Sequence, residues 1–147
     1  MSQIKGKISQ IIGPVIDVSF ESAKSLPKLL DAIEIIKGDG TKVILECQKH
    51  IGEDCVRTVA MDSTDGLMRG MEAVAIGKQI SMPTGEEVKG RLFNVVGDPI
   101  DGISAVEGGD RLPIHREAPK FEDLSTATEI LFTGIKVIDL VEPYAKG

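Results

Sequence analysis

Tryptophan is absent from this sequence, tyrosine occurs once, and aromatic residues make up 3% of the whole. Few ring faces are therefore available for stacking bases. An excess of positive charge is missing too: 17 Lys and Arg stand against 23 Asp and Glu, a net charge of −6, which disfavours a phosphate backbone as partner. Nucleic acid is thus not an expected ligand. Long apolar runs are lacking; none approaches the ~20 residues of a membrane-spanning helix, so direct membrane insertion is not expected. Cysteine is scarce, with only Cys47 and Cys55, and "MSQIKGKISQ" carries no apolar stretch before a small-residue cleavage site. The expected setting is a reduced cytoplasm, with both cysteines acting as small half-buried strand residues.

What is present begins with strands. From residue 4 to 82 the chain reads as closely spaced β segments. Ile16, Val18 and Phe20 alternate with Asp17 and Ser19, while Ile4, Ile8 and Ile12 share one parity in a first strand that bends at its glycines. "AIEIIKGDGTKVILECQ" alternates on both sides of Asp39-Gly40, which predicts a hairpin with a type I′ turn. Asp54 to Met61 and Glu72 to Met82 complete five or six strands in about 80 residues, and such a set predicts a small closed or nearly closed barrel.

After Met82 the pattern changes. Thr84-Gly85-Glu86-Glu87 has capping-box form, and Val88, Leu92, Val95 and Val96 follow at helical spacing, predicting a helix over 85–96 that stops at Gly97. Gly90 weakens it. Residues 97–125 hold Pro99, Pro113 and Pro119 and no sustained period. Thr126 to Glu129 repeats the capping-box pattern. A last helix presents Val137, Leu140, Val141 and Tyr144 and should end at Glu142, before Pro143.

The chemical motifs are few. "GDPIDGIS" and "GEEVKGRL" have the glycine spacing of a P-loop, but Ile103 stands where its Lys belongs in the first, and Glu86 and Glu87 would repel phosphate in the second. Cys47, Cys55, His50 and His115 lack zinc-ligand spacing, and Asp62 and Asp65 miss the interval of a calcium loop. Cys47 and His50, three apart on a strand, face opposite sides and make no dyad. Asp98-Pro99 and Asp101-Gly102 read as turn residues. No catalytic, cofactor-binding or metal-binding residue is expected here.

Several ordered stretches nevertheless resemble one family, the beta subunit of F-type ATP synthase. "GKISQIIGPVIDVSF", "LPKLLDAIEI" and "HIGEDCVRTVAMDSTDGLMRG" are similar to its opening barrel, while "GRLFNVVGDPIDG", "IHREAPKF" and "EILFTGIKVIDLVEPYAKG" are similar to the start of its nucleotide-binding domain. The alpha subunit and the flagellar or secretion ATPases share parts of this, but "AMDSTDGLMRG" and "LVEPYAKG" are of the beta type.

The resemblance implies a mainly β chain: a crown barrel at 1–82, then at 83–147 the incomplete start of a RecA-like α/β domain. It implies rotary ATP synthesis and hydrolysis coupled to proton transport in a complex peripheral to the inner face of the cell membrane. The partners it implies are alpha subunits in an alternating ring and a central-stalk gamma subunit reached through other regions. ATP or ADP and magnesium would be bound by residues beyond "YAKG", where the family places its P-loop. The 147 residues alone are expected to be inactive, with the barrel folding by itself and 83–147 less stable. A self-contained barrel of the oligonucleotide-binding kind is the alternative, and it would need a basic, aromatic face.

Overall fold

The computed structural model describes residues 4–21, 26–52, 54–106, 109–124, 127 and 129–146. Six strands form a closed antiparallel barrel: β1 (Ile4–Ile12), β2 (Val15–Phe20), β3 (Asp31–Ile36), β4 (Lys42–His50), β5 (Cys55–Ala60) and β6 (Glu72–Gln79), in the order β1-β2-β5-β4-β3-β6. β1 closes the ring by pairing Ile4 to Lys7 with Ala75 to Glu72. The mainly β architecture expected from the alternation is therefore present, and the barrel is fully closed.

Closure needs strands that curve, and three register shifts supply the bends, between Ile8 and Gln10, Asp31 and Ile33, and Cys47 and Lys49. The first corrects the sequence pattern. Beyond the bulge the inward parity changes, so Ile11 packs against the core while Ile12 is half exposed. Gly6 is needed for contact rather than flexibility: a Cβ there would lie 2.6 Å from the Ser19 carbonyl oxygen and 2.9 Å from the Phe20 ring. The ring covers the gap left by the missing side chain.

Inside the barrel, Ile8, Ile16, Val18, Ile33, Ile35, Val43, Leu45, Cys47 and Val56 form one buried cluster. The Ile33, Ile35 and Leu45 side chains are wholly buried, and at roughly 1.5–3 kcal/mol for each such residue they dominate the stabilisation. Thr58 is buried with them because its hydroxyl donates to the Ile16 carbonyl at 2.7 Å.

The β3–β4 hairpin forms where expected, but its turn is different. Gly40 N–H donates to the Lys37 carbonyl and Lys37 N–H to that of Thr41, and only Gly40, at φ 84°, is left-handed; Asp39 is not. The turn is thus a type I turn closed by a glycine bulge, in place of type I′. Asp39 instead accepts the Thr41 N–H at 2.8 Å, which holds its carboxyl below the usual range.

By contacts the chain divides into Met1–Arg116 and Glu117–Gly147. In the first unit β7 (Ser81–Pro83) pairs with β8 (Arg111–Pro113), and a single 3₁₀ turn covers Glu86–Val88. The helix expected over 85–96 does not form. Gly90 is left-handed at φ 71°, and the Asn94 side chain takes the N–H groups of Val96 and Asp98, offering the backbone a turn instead. The Thr84 hydroxyl caps nothing; it donates to the Asp110 carbonyl.

In the second unit β9 (Ile130–Leu131) pairs with β10 (Tyr144–Ala145), around α1 (Lys136–Val141). α1 stops at Glu142 as expected, but Tyr144 belongs to β10 and not to the helical stripe. The capping box expected at Thr126 to Glu129 falls partly outside the described residues. No described residue of this unit is buried; Phe121, Phe132, Leu140 and Val141 are all largely exposed.

Candidate functional site

Two polar contacts mark the wall of the barrel, the first of them an ion pair across neighbouring strands. Asp17 on β2 lies opposite Arg57 on β5, and the guanidinium donates from Nε and a terminal nitrogen to both carboxylate oxygens at 2.9 Å. Asp17 is only 3% exposed, so this fork is what keeps its charge tolerable. Arg57 holds the Asp17 carboxyl below its ordinary range, against the opposing effect of burial. On β4, Glu46 is 4% exposed and accepts from Gln48 Nε2 at 2.6 Å and from His115 Nε2 at 2.8 Å.

The "GRLFNVVGDPIDG" segment is built around a third contact. Arg91 reaches across the loop to Asp101 with two nitrogens and also donates to the carbonyls of Ile103 and Ser104. Asp101 in turn accepts the N–H groups of Leu92 and Ile103. With so many donors, Arg91 first among them, its carboxyl is held far below the usual range. The stretch between is pinned by Asn94 and by a bridge between Phe93 and Pro99. Arg111 closes the base, donating to the carbonyls of Ser81, Val96 and Gly97.

These placements explain the glycine-spaced stretches. Gly97 sits at φ 80° against Arg111, the Ser81 carbonyl and Pro83, and Gly102 at φ 76° follows the Asp101 tie. Gly85 and Gly90 flank the 3₁₀ turn, beside a Glu86–Lys89 ion pair. Asp62 and Asp65 bond within their own turn, to the Ser63 N–H and hydroxyl. His50 contacts the Pro27 carbonyl at 2.8 Å, not Cys47.

Cys47 is fully buried and its thiol is pushed up to about 11, first by burial and then by the charges of Asp31 and Glu46. Cys55 is intermediate, close to the Ser9 hydroxyl. Among the described residues no three His, Cys, Asp or Glu side chains gather into a metal-binding group, and no helix is long and apolar enough to cross a membrane. In the second unit Asp139 on α1 accepts the N–H groups of Thr133 and Gly134 and the Thr133 hydroxyl, an interaction that lowers its pKa and fastens the turn before the helix.

The sequence reading treated Asp98 and Asp101 as turn formers and missed the Arg91–Asp101 tie. It also left Arg57 and Glu46 without roles. The signal for the first was in the text, an Arg ten residues before an Asp within a glycine-rich phrase, but spacing alone does not separate a closing ion pair from a turn.

These ion pairs fasten strands and loops of a small closed β-barrel domain. Residues 8–77 match the family model described as the ATP synthase alpha/beta family, beta-barrel domain. The matched segment runs from the middle of β1 almost to the end of β6, so the likeness covers the barrel.

Proposed function

We propose that this barrel is the amino-terminal crown domain of a beta subunit of the proton-translocating F-type ATP synthase, and that its role is to pack against alpha subunits in an alternating ring. The observation that carries the reading is the family match over residues 8–77 together with the beta-type phrase "AMDSTDGLMRG" at 60–70. Exposed apolar side chains on the same unit, including Ile12, Leu29, Ile36 and Met68, suit a wall that meets neighbouring subunits.

On this reading residues 1–82 are the crown and 83–147 are the start of a nucleotide-binding domain. Rotary ATP synthesis and hydrolysis belong to the assembled enzyme, which lies on the cytoplasmic face of the membrane. ATP or ADP with magnesium, and the central-stalk gamma subunit, engage regions other than these residues. The test is co-expression with an ATP synthase alpha subunit followed by size-exclusion chromatography. Co-elution supports the reading; separate elution at micromolar concentrations, or magnesium-dependent ATP binding by this chain in calorimetry, counts against it.

A further inference from the structure

The sequence holds three Asp-Gly pairs, Asp39-Gly40, Asp65-Gly66 and Asp101-Gly102. A glycine nitrogen is the least hindered backbone nucleophile for the side-chain carboxyl of the residue before it, because no Cβ crowds the approach. All three glycines are left-handed, at φ 84°, 81° and 76°, and each has open space where a Cβ would stand. Backbone shape and crowding therefore do not separate the pairs, but hydrogen bonds do. Gly40 spends its N–H on the Lys37 carbonyl at 2.9 Å, and Asp39 accepts the Thr41 N–H at 2.8 Å. Asp101 has both carboxylate oxygens taken, by Arg91 and by the N–H groups of Leu92 and Ile103.

Asp65-Gly66 is held by neither device. The Leu67 N–H donates to the Thr64 carbonyl at 3.1 Å, which leaves Asp65 and left-handed Gly66 as the two middle residues of a type II turn. The amide between them takes no part in closing that turn, and among the described residues the Gly66 N–H has no hydrogen-bond partner. The Asp65 carboxylate accepts one donor, the Ser63 hydroxyl at 2.9 Å, and both residues of the pair are exposed. We propose that Asp65-Gly66 is a site of spontaneous aspartate isomerisation in the folded chain, and that the other two pairs are protected by the fold.

In the first step the Gly66 nitrogen bonds to Cγ of protonated Asp65, and one carboxyl oxygen leaves as water with the amide proton. Closure uses the acid form, which the donors around Asp39 and Asp101 disfavour. In the second step water adds to the five-membered imide. Addition at Cγ restores aspartate; addition at the main-chain carbonyl breaks the original peptide bond and leaves the chain running through Cβ and Cγ. The product has the same mass and one more methylene in its path between Thr64 and Leu67. Leu67 packs against the barrel core, and just beyond it Gly70 N–H donates to the Ile8 carbonyl and Ile8 N–H to that of Met71. The added length thus falls in the connection that docks β6 beside β1.

The experiment ages the whole chain in heavy-oxygen water at pH 7.4 and 37 °C for several weeks, then digests it with trypsin in ordinary water. Each imide hydrolysis leaves one heavy oxygen at the aspartate concerned, which fragment masses locate in peptides 38–42, 58–69 and 92–111. In the folded chain Asp65 should gain label about tenfold or more faster than Asp39 and Asp101, since each of those must first break hydrogen bonds to its carboxylate. In urea the three rates should converge, because each aspartate is followed by glycine. Arg91→Ala should speed labelling at Asp101 about tenfold and leave Asp65 unchanged. Asp65→Glu, which would need a six-membered ring, should carry no label at that position. No excess at Asp65 in the folded chain, an excess that persists in urea, an Asp101 rate indifferent to Arg91→Ala, or label retained in Asp65→Glu overturns the proposal.

Discussion

Individual side chains in the barrel wall are held by partners far away in sequence, and substitutions should reveal it. Asp17 is stabilised by Arg57, so its folded pKa lies below the unfolded value near 4; its contribution is complete above that value and is lost as pH falls through the folded one. Urea midpoints of the wild type and Asp17→Asn should therefore differ most at pH 7 and converge under acid. At Gly6 an added methyl meets backbone, and Gly6→Ala should cost about 1–3 kcal/mol in the same assay. Ellman titration of the native protein at pH 8 should modify Cys55 and leave Cys47 untouched until denaturant is added. The alternation of Ile16, Val18 and Phe20 made the inward face of β2 legible. The burial of Asp17 was not, because its cover comes from Arg57, forty positions on.

At the level of elements, local periodicity succeeded where a strand had its neighbours and failed where a side chain competed with the backbone. Val88, Leu92, Val95 and Val96 have helical spacing, yet Asn94 bonds two amides of the turn and Arg91 is drawn to Asp101. A single-sequence pattern contains none of that competition. The hairpin turn is a mixed case: Asp39-Gly40 marks the turn, but type I′ asks for both residues to be left-handed and only Gly40 is, because the loop length that selects the turn type was not visible. The Arg91–Asp101 tie predicts that Arg91→Ala speeds amide exchange at Leu92 and Ile103 by tenfold or so while β3 and β4 are unaffected. Because Asp101 is depressed well below ordinary carboxylates, the tie persists above the folded value, and Leu92 protection should survive at pH 4.

Across the whole chain, burial is uneven. The largest fully buried side chains all lie between Ile16 and Thr58, and among the described residues beyond Arg116 none is buried. Limited trypsin digestion should therefore cut first after Lys120 or nearby, leaving a resistant fragment that contains the barrel; early cuts within β1 to β6 would contradict this. The fold class was readable because strands and turns recur at short intervals. The pairing of β8 with β7 and the contact of His115 with Glu46 were not, because no composition shift announces them.

Closure of the ring also imposes an order in time. β1 is complete at Ile12, but its second partner, β6, begins at Glu72. During synthesis at roughly 5–20 residues per second, β1 waits several seconds with one edge unpaired. Lys5 and Lys7 lie on that edge, and exposed lysines discourage a strand from pairing with another nascent copy. When β6 arrives, Lys5 finds Glu72 at 3.0 Å, so a charge that protects the waiting strand becomes part of the seam that ends the wait.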